Sequence, residues 1–149
     1  MSDARTDGSQ SALPSKPLRI LVVDDNEASA MTLGWAIEAE GFTVRTCFSG
    51  KAALEEVKLF CPHIVLLDLG MPGMSGLEVC RLLRQDPSLH GLKVIAQTGW
   101  SDSEARRKTA ETGFDLHLVK PVNIAVLHDM LELLATSIRD GAPAGCEAA

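Results

Sequence analysis

Two kinds of hydrophobic pattern alternate along this chain. Short apolar runs occupy Leu18–Val23, Thr43–Cys47, His63–Leu67, Lys93–Gln97 and Leu116–Val119. Three of these runs are nearly continuous in apolar character, as strands covered on both faces are. Longer segments with helical spacing separate them. In the last, Leu127, Met130, Leu131 and Leu134 fall at i, i+3, i+4 and i+7, with Asn123 ahead of them as an N-cap. Ala53, Leu54 and Val57 mark the second such segment, and Leu77, Val79, Cys80 and Leu83 the third. Gly41 and Gly113 follow the first and the fourth, where C-cap glycines belong. Strands alternating with helices require βαβ crossovers. The pattern therefore predicts an α/β fold, a three-layer sandwich with a five-stranded parallel sheet and helices on both faces.

Composition narrows the picture. Residues 1–17 are rich in Ser, Asp, Gly and Pro and read as a flexible leader, and residues 140–149 read as a short tail, leaving one domain over 18–139. A chain of 149 residues that is 46% hydrophobic can bury a core without disulfides. No apolar run approaches the roughly 20 residues of a membrane span, and Met1–Arg5 leads into no apolar signal segment. The net charge of −6 argues against direct nucleic-acid binding. Cys47, Cys61, Cys80 and Cys146 show no zinc-like spacing, and three of them sit in apolar contexts. They read as small core residues in a reduced, cytoplasmic compartment.

In parallel sheets, chemistry collects beyond the carboxyl ends of the strands. Here the first run ends in Asp24-Asp25, the third in Asp68, the fourth in Thr98 and the fifth in Lys120-Pro121. A lone Asp at such a place is as easily a helix cap. An adjacent pair, a third acid, a hydroxyl and a lysine at equivalent ends exceed what capping needs. Three neighbouring carboxylates raise one another's pKa unless a cation sits among them, and Lys120 is too little charge for three. The all-oxygen donor set points to a hard divalent ion, Mg²⁺. Beside such an ion and Lys120, one carboxylate can attack a phosphoryl group and form an aspartyl phosphate, with Thr98 hydrogen-bonding the added group.

Asp24-Asp25, Asp68 followed by Met71-Pro72-Gly73-Met74-Ser75-Gly76, Thr98-Gly99 and Lys120-Pro121 together closely resemble the receiver domain of two-component response regulators, from about Leu18 to Ile138. The resemblance implies strand order 2-1-3-4-5. It makes Asp68 the phosphoacceptor and Asp25, Asp68 and the Gly70 carbonyl direct Mg²⁺ ligands, with Asp24 acting through water. It makes Lys120 the partner of the phosphoryl oxygens, before a cis peptide bond to Pro121. Thr98 becomes the hydroxyl that moves on activation, coupled to a residue three before the lysine. That residue is His117 where Tyr or Phe is usual, so it is either a titratable switch or a plain strand residue. Gly70 and Trp100 border the path of hydrolytic water, and Trp100 either covers the site or lies out over the next loop.

The resemblance also implies a phosphodonor, a histidine kinase or a histidine phosphotransfer protein, docking on the first helix. Taking Leu33 and Ile37 as the inward face, Ala28, Met31, Thr32 and Trp35 lie outward and form the expected contact. The alternative for Trp35 is a ring folded back on a helix edge. The fourth helix, near Asp102–Thr112, has Ala105 and Ala110 as its only non-polar side chains and should be loosely held. Its Arg106, Arg107 and Lys108 read as a solvated face. The chain is either a stand-alone receiver or one cut from a hybrid histidine kinase, signalling through protein contacts. Two other readings compete. A Mg²⁺-dependent phosphohydrolase would need a second Asp where Gly70 stands, and a pseudo-receiver would lack an acid or the lysine.

Overall fold

The computed structural model describes residues 17–99 and 103–140, so most of the expected leader and tail, and Trp100, lie outside the described residues. Strand β1 (Arg19–Val23) leads into helix α1 (Glu27–Glu38), followed by β2 (Thr43–Cys47), α2 (Gly50–Phe60), β3 (Ile64–Asp68) and α3 (Gly76–Arg84). A single 3-10 turn, Pro87–Leu89, precedes β4 (Lys93–Thr98), α4 (Ser103–Thr112), β5 (Leu116–Val119) and α5 (Ile124–Asp140). All neighbouring strands are parallel, in the order β2-β1-β3-β4-β5.

Side-chain alternation splits the central strands between two cores. Ile20, Val22, Ile64, Leu66 and Ile95 meet Leu33 and Ile37 of α1 and Leu127 and Leu131 of α5. Their neighbours Leu21, Val23, Val65, Leu67, Val94 and Ala96 face Ala53 and Val57 of α2 and Val79 and Leu83 of α3. Each fully buried Leu or Ile contributes roughly 1.5–3 kcal/mol of hydrophobic stabilisation, which is why these strands read as unbroken apolar runs. Edge strand β2 alternates instead, with Thr43 and Arg45 exposed.

Polar side chains set the element ends. Asn26, Ser49 and Ser75 cap α1, α2 and α3 by accepting backbone N–H groups. Asn123 Oδ1 accepts from Ala125 and Val126 at the start of α5. At the amino edge of the sheet, Arg84 donates to the carbonyls of Gly113 and Leu92 and to Asp115 Oδ2, which also accepts from Val94 N. That clamp ties α3 to the starts of β4 and β5.

Some expectations need correction. Strand β3 begins at Ile64 because His63 is used just ahead of it, with Nδ1 accepting from Arg19 N while His63 N donates to Arg19 O. Helix α5 continues through Asp140, one residue beyond the expected end. Cys47 and Cys80 are buried free thiols, but Cys61 is a half-buried, left-handed cap of α2 and is disulfide-bonded. In α4 the one buried residue is Thr109.

Candidate functional site

The strand ends converge as their register requires. Asp24 follows β1 directly, is 2% exposed, and its Oδ1 accepts from Asn26 N at 2.9 Å. Asp68 closes β3, is buried, and its Oδ1 accepts from Gly70 N at 3.1 Å. Asp25 is exposed at the mouth. One carboxylate oxygen from each of these three acids lies within 4.8 Å of the others. Lys120, brought by β5, places Nζ 3.3 Å from Asp24 Oδ2 and 3.3 Å from Asp68 Oδ2. Its backbone N donates to Thr98 O, which holds the ends of β4 and β5 together. The Lys120-Pro121 peptide is cis, as expected. Thr98 is buried at the end of β4, and Gly70 and Gly99 are exposed beside the mouth.

The electrostatics are those of a cluster short of positive charge. Burial pushes the Asp24 carboxyl above its usual range and Asp68 adds to this, against the hydrogen bond from Asn26 and the attraction of Lys120. Burial alone would lower the Lys120 pKa, but the attraction of Asp68 and Asp24 outweighs it and holds the ammonium above its ordinary value. One lysine thus leaves a buried carboxyl still resisting ionisation. A hard cation among these oxygens fits the donor set and answers that deficit.

The peripheral residues are distributed less simply. His117 is half-buried on β5, with Nδ1 3.3 Å from Thr109 Oγ1 on α4. On α1, Met31 and Trp35 are exposed, Trp35 by 62%. The four outward residues divide between two grooves. Ala28 and Thr32 line one of about 480 Å³ that runs past Asp24 and Lys120 to Val122 and Ile124. Met31 and Trp35 line another of about 260 Å³ against β2.

Across residues 20–132 the sequence matches the model of the response regulator receiver domain. The chain belongs to that family. It is a phosphoacceptor domain of two-component signalling. The receiver is 36% identical over 132 residues to the phosphate regulon transcriptional regulatory protein PhoB of Rhizobium meliloti, covering 83% of this chain and 58% of that protein. It is 38% identical over 109 residues to the response regulator PleD of Caulobacter vibrioides, covering 73% of this chain and 24% of that protein. The chain therefore spans between about a quarter and three-fifths of these relatives. Among solved structures, the signal receiver domain of a signal transduction histidine kinase from Syntrophus aciditrophicus superposes with a TM-score of 0.76. The two are 28% identical, over 83% of this chain and 93% of that one. A CheY-like receiver domain protein from Methanospirillum hungatei gives a TM-score of 0.73 at 27% identity, over 84% and 99% of the two chains.

Two residues near the acidic groups owe their interest to packing that the sequence alone does not display. Gly76 packs so closely beneath the end of β3 that an added Cβ would lie 2.4 Å from Asp68 O. It also closes the Met71–Gly76 stretch that carries the resemblance. Gln97 is 1% exposed on the floor of the groove beside Asp24, a polar residue ending an apolar strand.

Proposed function

We propose that this receiver takes a phosphoryl group from a phosphohistidine of a histidine kinase or histidine phosphotransfer protein onto Asp68. The observation that carries this reading is the clustering of Asp24, Asp25 and Asp68, with Lys120 Nζ 3.3 Å from both Asp24 and Asp68. Asp25, Asp68 and the Gly70 carbonyl would hold Mg²⁺ directly, with Asp24 acting through water. When bound, the ion neutralises the phosphoryl oxygens and the carboxylates that face them. An Asp68 carboxylate oxygen attacks phosphorus, the new P–O bond forms as the P–N bond breaks, and the imidazole nitrogen leaves. Lys120 Nζ, 3.3 Å from Asp68 Oδ2, would pair with a phosphoryl oxygen. Thr98 would donate to another, and His117 would carry that movement to α4 through Thr109. Trp35, Met31, Ala28 and Thr32 supply the donor's contact.

The chain works as a phosphoacceptor with its own slow hydrolysis and not as a turnover enzyme. Gly70 occupies the place where a phosphohydrolase of this chemistry holds its general acid, and no acid or lysine is missing as in a pseudo-receiver. We place it in the cytoplasm, where its phosphodonors work. Among the described residues no helix is long and apolar enough to cross a membrane. Output passes to a downstream protein by surface contact. Incubation with acetyl phosphate and Mg²⁺ should add one phosphoryl group to the intact mass, and Asp68→Ala should abolish it. An adduct that survives Asp68→Ala would overturn the assignment.

A further inference from the structure

Strand β4 places one polar side chain where its pattern calls for an apolar one. Ile95, two residues earlier on the same face, lies in the core against α1 and α5, and Gln97 continues that row. Gln97 is 1% exposed, and its Nε2 has no hydrogen-bond partner among the described residues. A buried donor without an acceptor costs the folded state, and a leucine would fill the same space without that cost. The side chain lines the groove of about 480 Å³ between α1 and the connection from β5 to α5. Ala28, Leu33, Val122 and Ile124 give the groove apolar walls, while Ser29, Thr32, Asp24 and Lys120 also line it, and the Gln97 amide is the buried group among them left without a partner.

We propose that Gln97 is a specificity residue for the phosphodonor: its amide N–H₂ receives a neutral oxygen acceptor carried by a donor helix side chain that enters this groove. This rests on the reading of Asp68 as phosphoacceptor. The acceptor is neutral, an amide oxygen or a hydroxyl, because Asp24 and Lys120 both line the groove and the one ammonium is already shared between Asp24 and Asp68, which leaves the surroundings net negative toward a further anion. The occupant is a protein because Ile124, an exposed apolar side chain, lines the slot, and Met31 and Trp35, which line the neighbouring groove on the same helix α1, are exposed as well, so one helix-bearing partner could cover all three. A small pocket holding one anchor inside a broader apolar face is the anatomy of an interface hot spot.

The test compares Gln97→Leu, and Gln97→Met as a second variant, with two donors. One is the phosphorylated histidine-phosphotransfer domain that labels the wild type fastest in a panel. The other is acetyl phosphate, which needs no docking face. The expected result is a fall of roughly tenfold in kcat/KM with the protein donor, the worth of one hydrogen bond. Acetyl phosphate labelling should not change, and the variants should melt at or above the wild-type temperature. An unchanged rate with the protein donor overturns the proposal. So does an equal fall with both donors, which would put the amide in the phosphorylation chemistry. Labelling by acetyl phosphate but by no panel member makes the named occupant wrong. A second readout needs no partner: the Gln97 side-chain ¹⁵N resonance should shift saturably with N-methylacetamide and not with acetate, and any other pattern refutes the neutral-acceptor chemistry. If acetyl phosphate fails to label Asp68 in the wild type, the underlying reading fails, and the resonance titration still reports on the groove.

Discussion

Adding one methyl group at Gly76 should damage both the fold and the chemistry. An ideal Cβ there lies 2.4 Å from Asp68 O, 2.9 Å from Leu69 Cα and 3.0 Å from Asp68 C, all backbone atoms that cannot swing away. Relief requires the end of β3 and the start of α3 to part by more than half an ångström, about the distance to a tolerable contact. Overpacking of this kind costs about 1–3 kcal/mol. The better helix propensity of Ala returns less than about 1 kcal/mol at a first-turn position. We expect a net loss of about 2 kcal/mol, lowering Tm by roughly 5–10 °C. Gly73→Ala is the control. Its φ of +76° strains a Cβ, but nothing lies within 4 Å of it, so it should cost about 1 kcal/mol and leave Asp68 in place. Thermal melts give the first quantity, and the rate of labelling by acetyl phosphate at a temperature where both variants are folded gives the second. Gly76→Ala should label more slowly than Gly73→Ala. A Gly76→Ala protein that melts and labels like the wild type would show that α3 does not press on the phosphoacceptor strand.

Two further outcomes follow from the site and the surface. Because the folded state holds the Asp24 carboxyl above its usual range, this group favours folding at acid pH and loses that contribution as pH rises through its folded value. Mg²⁺ should therefore stabilise most near neutral pH, by about 1.4 kcal/mol at tenfold excess over Kd, and progressively less as acid protonates Asp24; melting curves with Mg²⁺ and with EDTA across pH check this, and a pH-independent shift counts against it. Trp35→Asp should slow transfer from a protein donor at least tenfold while leaving acetyl phosphate labelling and Tm nearly unchanged, since Trp35 is 62% exposed.

Much of this molecule was legible in its sequence, for identifiable reasons. Strands β1 and β3 are buried on both faces and all but one residue of each is apolar, and β4 is apolar over Val94–Ala96, so the runs stand out. The site was legible because parallel register carries each strand end to the same rim, and Asp24, Asp25, Asp68, Thr98 and Lys120 each sit at such an end. Contacts between segments far apart in sequence were not legible. The Arg84 clamp joins residues 8 to 31 positions away, and nothing around Arg84 distinguishes it from a solvated helix residue. The 3-10 turn at Pro87–Leu89 had a local signal, Asp86 capping ahead of a proline, that hydrophobic periodicity does not register. Gln97 was visible as a residue but not as a problem, because an unpartnered amide shows only once its neighbours are placed. The division of the α1 face between two grooves depends on what packs to either side of the helix, which angular position alone does not tell.

Thr109 is the single buried residue of α4, while Glu104, Arg106, Arg107, Lys108, Ala110 and Glu111 all face solvent. Folding therefore places almost no demand on the identity of those outward positions. Mutations there can accumulate, reverse charge or create a new contact while Asp68 and its surroundings continue to work unchanged. The helix is in this sense a surface that can be rewritten at little thermodynamic expense.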